Sequence, residues 1–302
     1  MNIIVTGATS FIGVHLINEL LDKECIIYAI VRPNSINIQR LPKSDKLKII
    51  ELDMTDYERL TQFVENADVF YHFAWEGVRA PHRDDEDLQK NNYDCSVNAM
   101  KVAVKLGVKL FIGSGSQAEY GKTIGKVDES YECKPITEYG KYKYKAYLEL
   151  NKIAQINNIC FIWTRIFSVY GKYDYNGTLI MSCLDKMLKN ETIKMTECTQ
   201  SWDYIYVGDI AEALAKLLEV KVESGVYNIA SGNSKQLKYY VEELKKLLKS
   251  DSVIEYGAIP YPKEGVVSFE PVVGKIQKAL EWKATTKFSA GIEKTLNIFK
   301  QK

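Results

Sequence analysis

Short apolar runs alternate along the chain with longer stretches in which apolar positions recur at helical spacing. The runs predict strands at Ile3 to Val5, Ile26 to Val31, Leu47 to Leu52, Val69 to Ala74, Leu110 to Ile112 and Cys160 to Phe167. Helices are predicted near Phe11 to Leu21, Asp56 to Asn66, Gln89 to Leu106 and Tyr139 to Asn157. Strand and helix in steady succession predict an α/β fold, a doubly wound parallel sheet of Rossmann type with helices on both faces. Right-handed crossovers would then put every strand's carboxyl end on one edge, where ligands bind. After Gly171 the alternation loosens into short helices and turns over residues 172–200 and about 230–302. No internal repeat or low-complexity linker is present.

The chain's 302 residues, 46% of them hydrophobic, suffice for a large core, as one large domain or two small ones. A net charge of +1 gives no reason to expect nucleic acid or a membrane as partner. No apolar run approaches the roughly 20 residues of a membrane helix. The amino terminus enters its first strand without room for a signal peptide, so a cytoplasmic protein is expected. Six cysteines without a C-x-x-C pair and three scattered histidines suggest no metal cluster.

Candidate chemistry begins where the first strand runs into Thr6-Gly7-Ala8-Thr9-Ser10-Phe11-Ile12-Gly13. Gly7 would let the chain turn sharply, and Gly13 would let the following helix pack closely on the strand. Thr9, Ser10, Phe11 and Ile12, lying between them, would offer free amides and a positive helix end to a dinucleotide pyrophosphate. The middle glycine of the usual pattern is Ser10 here, and a glycine pair at such a junction also closes purely structural turns. A second element is Tyr139-Gly140-Lys141-Tyr142-Lys143, in which Tyr139 and Lys143 share one helical face. It follows an apolar strand and the polar run Gly113 to Gly121, so a serine hydroxyl, a phenol and an ammonium are expected to converge at a strand's carboxyl end. Hydride transfer to a carbonyl leaves an alkoxide-like oxygen that needs a proton donor and a second hydrogen bond. Tyr139 is the expected acid/base, with its pKa lowered by the Lys143 ammonium and by an oxidised nicotinamide.

These elements, in this order, resemble the extended short-chain dehydrogenase/reductase family, the branch that modifies nucleotide-linked sugars. The resemblance spans the chain through Asp53-Met54, Phe73-Ala74-Trp75, Asn92, Ser114-Gly115-Ser116, Tyr120-Gly121, Arg165 to Gly171 and Asp203 to Asp209. It implies an enzyme that binds NAD(P) on residues 1–171, with Tyr204 to Ile229 returning to the sheet, and substrate on a lobe of 172–302. It further implies that Lys143 holds the nicotinamide ribose, that Ser116 binds the substrate oxygen, and that Asp53 hydrogen-bonds adenine. Met54, Phe73 and Ala74 would join the cofactor site. Asn92 would help shape the site or serve as an ordinary helix residue, and a homodimer is implied.

Arg32 ends the second strand where an acidic residue would accept from a ribose 2′-hydroxyl. This favours NADP(H), with NAD(H) possible if Arg32 is an idle surface residue. Family dehydratases carry an Asp-Glu pair after the serine, whereas this chain has Gln117 and Ala118, which exchange no proton at neutral pH. Glu119, one residue on, reads as structural. What remains is reduction of a 4-keto nucleotide sugar, the reaction suggested by similarity to abequose-synthase-type 4-ketoreductases, or epimerisation on a retained cofactor. A non-catalytic dinucleotide sensor is the third reading. Ser168 leans towards the reductase. Trp75, Gln117, Ser168 and Trp202 are the candidate substrate contacts, Trp202 standing where many relatives have a diphosphate-binding arginine. Trp202 filling an interface is the competing use. Arg79, His82 and Arg83 either line the sugar pocket or sit in a solvated loop, and Lys263 is a candidate for neutralising a diphosphate.

Overall fold

The computed structural model describes residues 1–123, 125–261 and 266–297. Seven strands form one parallel sheet: β1 (Asn2–Thr6), β2 (Ile26–Val31), β3 (Leu47–Glu51), β4 (Val69–His72), β5 (Leu110–Ser116), β6 (Cys160–Ile166) and β7 (Gly225–Ile229). Their order is β7-β6-β5-β4-β1-β2-β3, so the winding reverses between β1 and β4 and opens a crevice at their carboxyl ends. The register there sets Thr6 beside His72.

Side chains alternate across the sheet as the pleat demands. From β1, Ile3 and Val5 pack with Leu16 and Ile17 of α1 (Phe11–Leu21), while Ile4 points to the other face with Phe70 and Leu60. Each such fully buried side chain contributes about 1.5–3 kcal/mol. The second face is covered by α2 (Glu86–Lys105) and α3 (Glu138–Ile156). A separate apolar cluster, built on α4 (Leu179–Leu188) and the later helices Leu237–Leu248 and Phe288–Leu296, forms the core of the carboxyl-terminal part.

Three expectations change. Strand β5 continues through Gly113–Ser116, which pair in register with Trp163–Ile166, so residues that read as a polar loop are sheet. The helix expected over Asp56 to Asn66 is a 3-10 turn, Met54–Gln62. Of Tyr204 to Ile229, only Gly225–Ile229 joins the large sheet, while Tyr204–Tyr206 pairs with Ser168–Tyr170 in a two-stranded piece. Among the described residues no helix is long and apolar enough to cross a membrane.

Beneath the crevice lies a buried polar chain. Ser96 donates to the Asn92 carbonyl at 2.8 Å, so its oxygen accepts from His72 Nε2 at 2.9 Å, and His72 Nδ1 accepts from Thr6 Oγ1 at 2.9 Å. Burial, with a smaller contribution from the charge of Lys143, pushes the His72 pKa down to about 3. The imidazole is therefore neutral in the fold, while the unfolded chain takes up a proton below about pH 6.5, so stability rises with pH across this window. Acidification to about pH 4 is expected to cost about 3 kcal/mol through this residue alone. Thermal unfolding of wild type and His72→Gln as a function of pH checks this, because the variant loses that part of the slope.

Candidate active site

The turn after β1 is built from close backbone approach. Gly7 has φ of +66°, and a Cβ there would lie 2.7 Å from the Ala74 amide nitrogen and the Phe73 carbonyl carbon. A Cβ on Gly13 would collide with the Gly7 carbonyl oxygen. Ser10 caps α1, its Oγ accepting from Gly13 N at 3.1 Å. The Phe11 and Ile12 amides, first in the helix, have no carbonyl partner within it and face its open end. A cleft of about 500 Å³ lies beside this turn. Gly7, Thr9, Ser10, Arg32, Met54, Phe73, Ala74 and Trp75 wall it, joined by Tyr57, Glu76 and His82. Phe11, Ile12, Gly13 and Asp53 lie outside that wall. Asp53 caps the Met54–Gln62 turn, accepting from Thr55 N at 3.0 Å and Thr55 Oγ1 at 2.8 Å. The crowded glycine turn, the open helix end and the mixed wall suit a dinucleotide pyrophosphate.

Arg32 reaches across the cleft mouth to pair with Glu76. That carboxylate is held by its backbone: Asn92 accepts from Glu76 N at 2.9 Å and donates to Glu76 O at 2.9 Å. Three residues earlier on the same helix face, Gln89 accepts from Trp75 Nε1 at 2.8 Å and donates to the carbonyls of Gly77 and His82 at 2.9 and 3.0 Å. Two buried α2 amides thus fix the segment that follows β4.

Ser116, Tyr139 and Lys143 converge behind Trp75. Ser116 ends β5 as the cap of a short turn, with Oγ accepting from Ala118 N at 3.2 Å. Its own amide donates to Glu119 Oε1 at 2.7 Å. Glu119 is wholly buried, accepts from Trp163 Nε1 at 3.0 Å and pairs with Arg165 at 2.8 Å, which confirms its structural reading. Lys143, also buried, donates to the Ser114 carbonyl at 2.6 Å, and its ammonium lies 3.8 Å over the Trp75 ring. Burial pushes its pKa down to about 7, against the attraction of Glu119. Trp75 stands edge-on to Tyr139, ring centroids 6.2 Å apart.

The electrostatics of Tyr139 differ from the sequence expectation. Burial raises its pKa, opposed by a hydrogen bond with Ser116 and by the charges of Arg83 and Arg79, while Glu119 adds to the rise. The Lys143 ammonium, 6.0 Å from the Tyr139 ring centroid and itself desolvated, does not produce the expected net lowering.

Of the other candidates, Gln117 donates to Ser168 Oγ at 3.3 Å, so these two share one corner. Trp202 stands apart, packed against Phe269 with centroids 5.5 Å apart and touching both the sheet core and the carboxyl-terminal cluster; this is the interface-filling use. Arg79 pairs with the buried Asp174 at 3.2 Å, tying the post-β4 segment to the later part of the chain. Burial pushes the Asp174 pKa up to about 6. Lys263 lies outside the described residues. Sequence reasoning missed Glu76, Gln89 and Tyr57. Glu76 follows directly on Phe73-Ala74-Trp75, but no local signal marked it as the partner of Arg32.

Comparison with known proteins gives a family and close counterparts. The family model described as NAD dependent epimerase/dehydratase family matches residues 3–230. CDP-abequose synthase of Salmonella muenchen is 29% identical over 98% of this chain and 97% of its own length. dTDP-6-deoxy-L-talose 4-dehydrogenase (NAD(+)) of Aggregatibacter actinomycetemcomitans is 26% identical over 80% of this chain and 89% of its own. A solved UDP-N-acetylglucosamine 4-epimerase from Methanobrevibacter ruminantium M1, in complex with UDP-N-acetylmuramic acid, superposes with a TM-score of 0.90 at 24% identity. That alignment covers 99% of this chain and 98% of the other, and it bears on the fold.

Two outcomes follow from the geometry. Glu119→Ala leaves Arg165 buried without its partner and is expected to cost about 3–5 kcal/mol, read from the denaturant midpoint. Gly7→Ala is expected to weaken NADPH or NADH binding at least tenfold by calorimetry, because the added methyl forces the turn off Phe73 and Ala74.

Proposed function

We propose that this chain, which belongs to the NAD dependent epimerase/dehydratase family, reduces a 4-keto sugar carried on a nucleotide, with Tyr139 as the proton donor. The observation that carries the reading is the convergence of Ser116, Tyr139 and Lys143 behind Trp75, at the edge of a glycine-cradled cleft. When bound there, a reduced nicotinamide supplies hydride to the carbonyl carbon. Tyr139 gives its phenolic proton to the oxygen, which would otherwise carry full negative charge. Ser116 Oγ takes its own hydrogen bond from Ala118 N, so its O–H is free to donate to the same oxygen. Lys143, aligned by the Ser114 carbonyl, would hold the nicotinamide ribose. Gln117 and Ala118 bring no acid or base, and Glu119 is committed to Arg165 and Trp163, which argues against water elimination. The names of the relatives, an abequose synthase and a 4-dehydrogenase of deoxysugar nucleotides, support this substrate class.

Arg32, on the cleft wall, suits a 2′-phosphate and therefore NADPH. A second reading, a 4-epimerase retaining NAD, is favoured by one observation: Glu76 already neutralises Arg32. The ultraviolet spectrum of the extensively dialysed protein separates the two. The reductase reading expects a bare protein that oxidises added NADPH only when a 4-keto nucleotide sugar is present; a firmly retained NAD(H) signature would favour the epimerase.

Tyr139→Phe is expected to lower kcat about 10³-fold or more while NADPH affinity changes less than threefold. Steady-state kinetics beside calorimetry reads both, and unimpaired turnover rejects the acid role.

A further inference from the structure

We infer that Arg83 is the charged partner of Tyr139, a positioning residue whose guanidinium stabilises the phenolate formed as the proton leaves for substrate. The inference rests on the acid role proposed for Tyr139.

Arg83 lies in a short turn, His82–Asp84, that is fastened on both sides. Gln89 donates to the His82 carbonyl at 3.0 Å, and Asp84 Oδ1 accepts from the amide of Glu138, the first residue of α3, at 3.1 Å. Tyr139 is the next residue, so the turn is docked on the helix end that carries the phenol. The guanidinium carbon sits 5.4 Å from the Tyr139 ring centroid. Among the described residues Arg83 forms no ion pair with a carboxylate, and its Nε is buried with no hydrogen-bond partner. Its neighbour Arg79 is committed to Asp174. A desolvated donor without an acceptor is unfavourable in the resting protein and becomes favourable when negative charge develops beside it.

The other charged groups around the phenol leave this role open. Glu119 opposes ionisation, and Arg79 assists it from its ion pair. Lys143, one helical turn on, is held by the Ser114 carbonyl and the Trp75 face, and burial pushes its pKa down to about 7. It therefore carries only part of its charge at neutral pH, whereas a guanidinium keeps its charge throughout. The Arg83 charge also lowers the Tyr139 pKa against the effect of burial.

The step balances simply. Hydride and the Tyr139 proton convert C=O to CH–OH, and the phenolate left beside Arg83 regains a proton from solvent.

The test labels the full chain with tyrosine enriched in ¹³C at the ring carbon bearing oxygen, assigns Tyr139 by its loss in Tyr139→Phe, and titrates upward in pH without substrate. Arg83→Gln is expected to move the Tyr139 titration up by about one pH unit, and Arg83→Lys by less. Turnover with NADPH is expected to fall about tenfold or more in kcat for Arg83→Gln, with partial recovery in Arg83→Lys and little change in cofactor KM. An unmoved Tyr139 resonance in folded Arg83→Gln, or a higher substrate KM with kcat intact, overturns the inference. Because the titration needs no turnover, an unaltered protein that never oxidises NADPH would remove the reductase reading and still leave the Arg83–Tyr139 pairing measurable.

Discussion

The site depends on a carboxylate withdrawn from water. Glu119 accepts from the Ser116 amide and the Trp163 indole and pairs with Arg165, so one side chain binds the end of β5 to β6 and fixes the turn that follows β5. Arg165 in turn lies 4.5 Å over the Tyr120 ring, which extends the restraint to the next residue of the chain. Desolvating both charges is costly, and the two hydrogen bonds that Glu119 accepts in addition to the ion pair offset part of that cost. What the arrangement secures is the position of Ser116 at the end of β5, beside Tyr139.

On the opposite side of the cleft, α2 does comparable work with neutral groups. Gln89 and Asn92 lie three residues apart on one buried helix face and together engage Trp75, Glu76, Gly77 and His82. The Asn92 carbonyl also ends the chain of hydrogen bonds through Ser96 and His72 to Thr6 at the end of β1. The glycine turn, the post-β4 segment and the helix that anchors it are thereby one connected polar structure. Trp75 is its working surface, facing the cleft and covering the Lys143 ammonium.

The parts legible in the sequence are those with local causes. Ile26 to Val31 is a strand in both readings because its apolar, β-branched run can be little else, and Phe11 to Leu21 begins at a serine cap and shows helical spacing. Tyr139 and Lys143 share one helical face, but their spacing alone does not mark them; their place just after the strand and polar run ending at Gly121 does. Gly113–Ser116 was not legible as strand, since glycine and serine have no preference for it; the pairing with β6 makes it one. Nor was the Arg32–Glu76 pair, whose partners are far apart in the chain and come together only at the sheet's edge. The upward shift of Tyr139 was missed because spacing to a lysine says nothing of burial, and burial acts on both groups.

Hydride delivery to the sugar is the central claim, and isotope tracing reads it most directly. The protein would be incubated with nicotinamide cofactor deuterated at the transferable C4 position and a 4-keto nucleotide sugar, and the product examined by NMR. The account predicts one deuterium at C4 of the sugar, with one equivalent of cofactor oxidised per product. Recovery of the 4-keto nucleotide sugar unreduced, with no cofactor oxidised and no deuterium in the sugar, would contradict it.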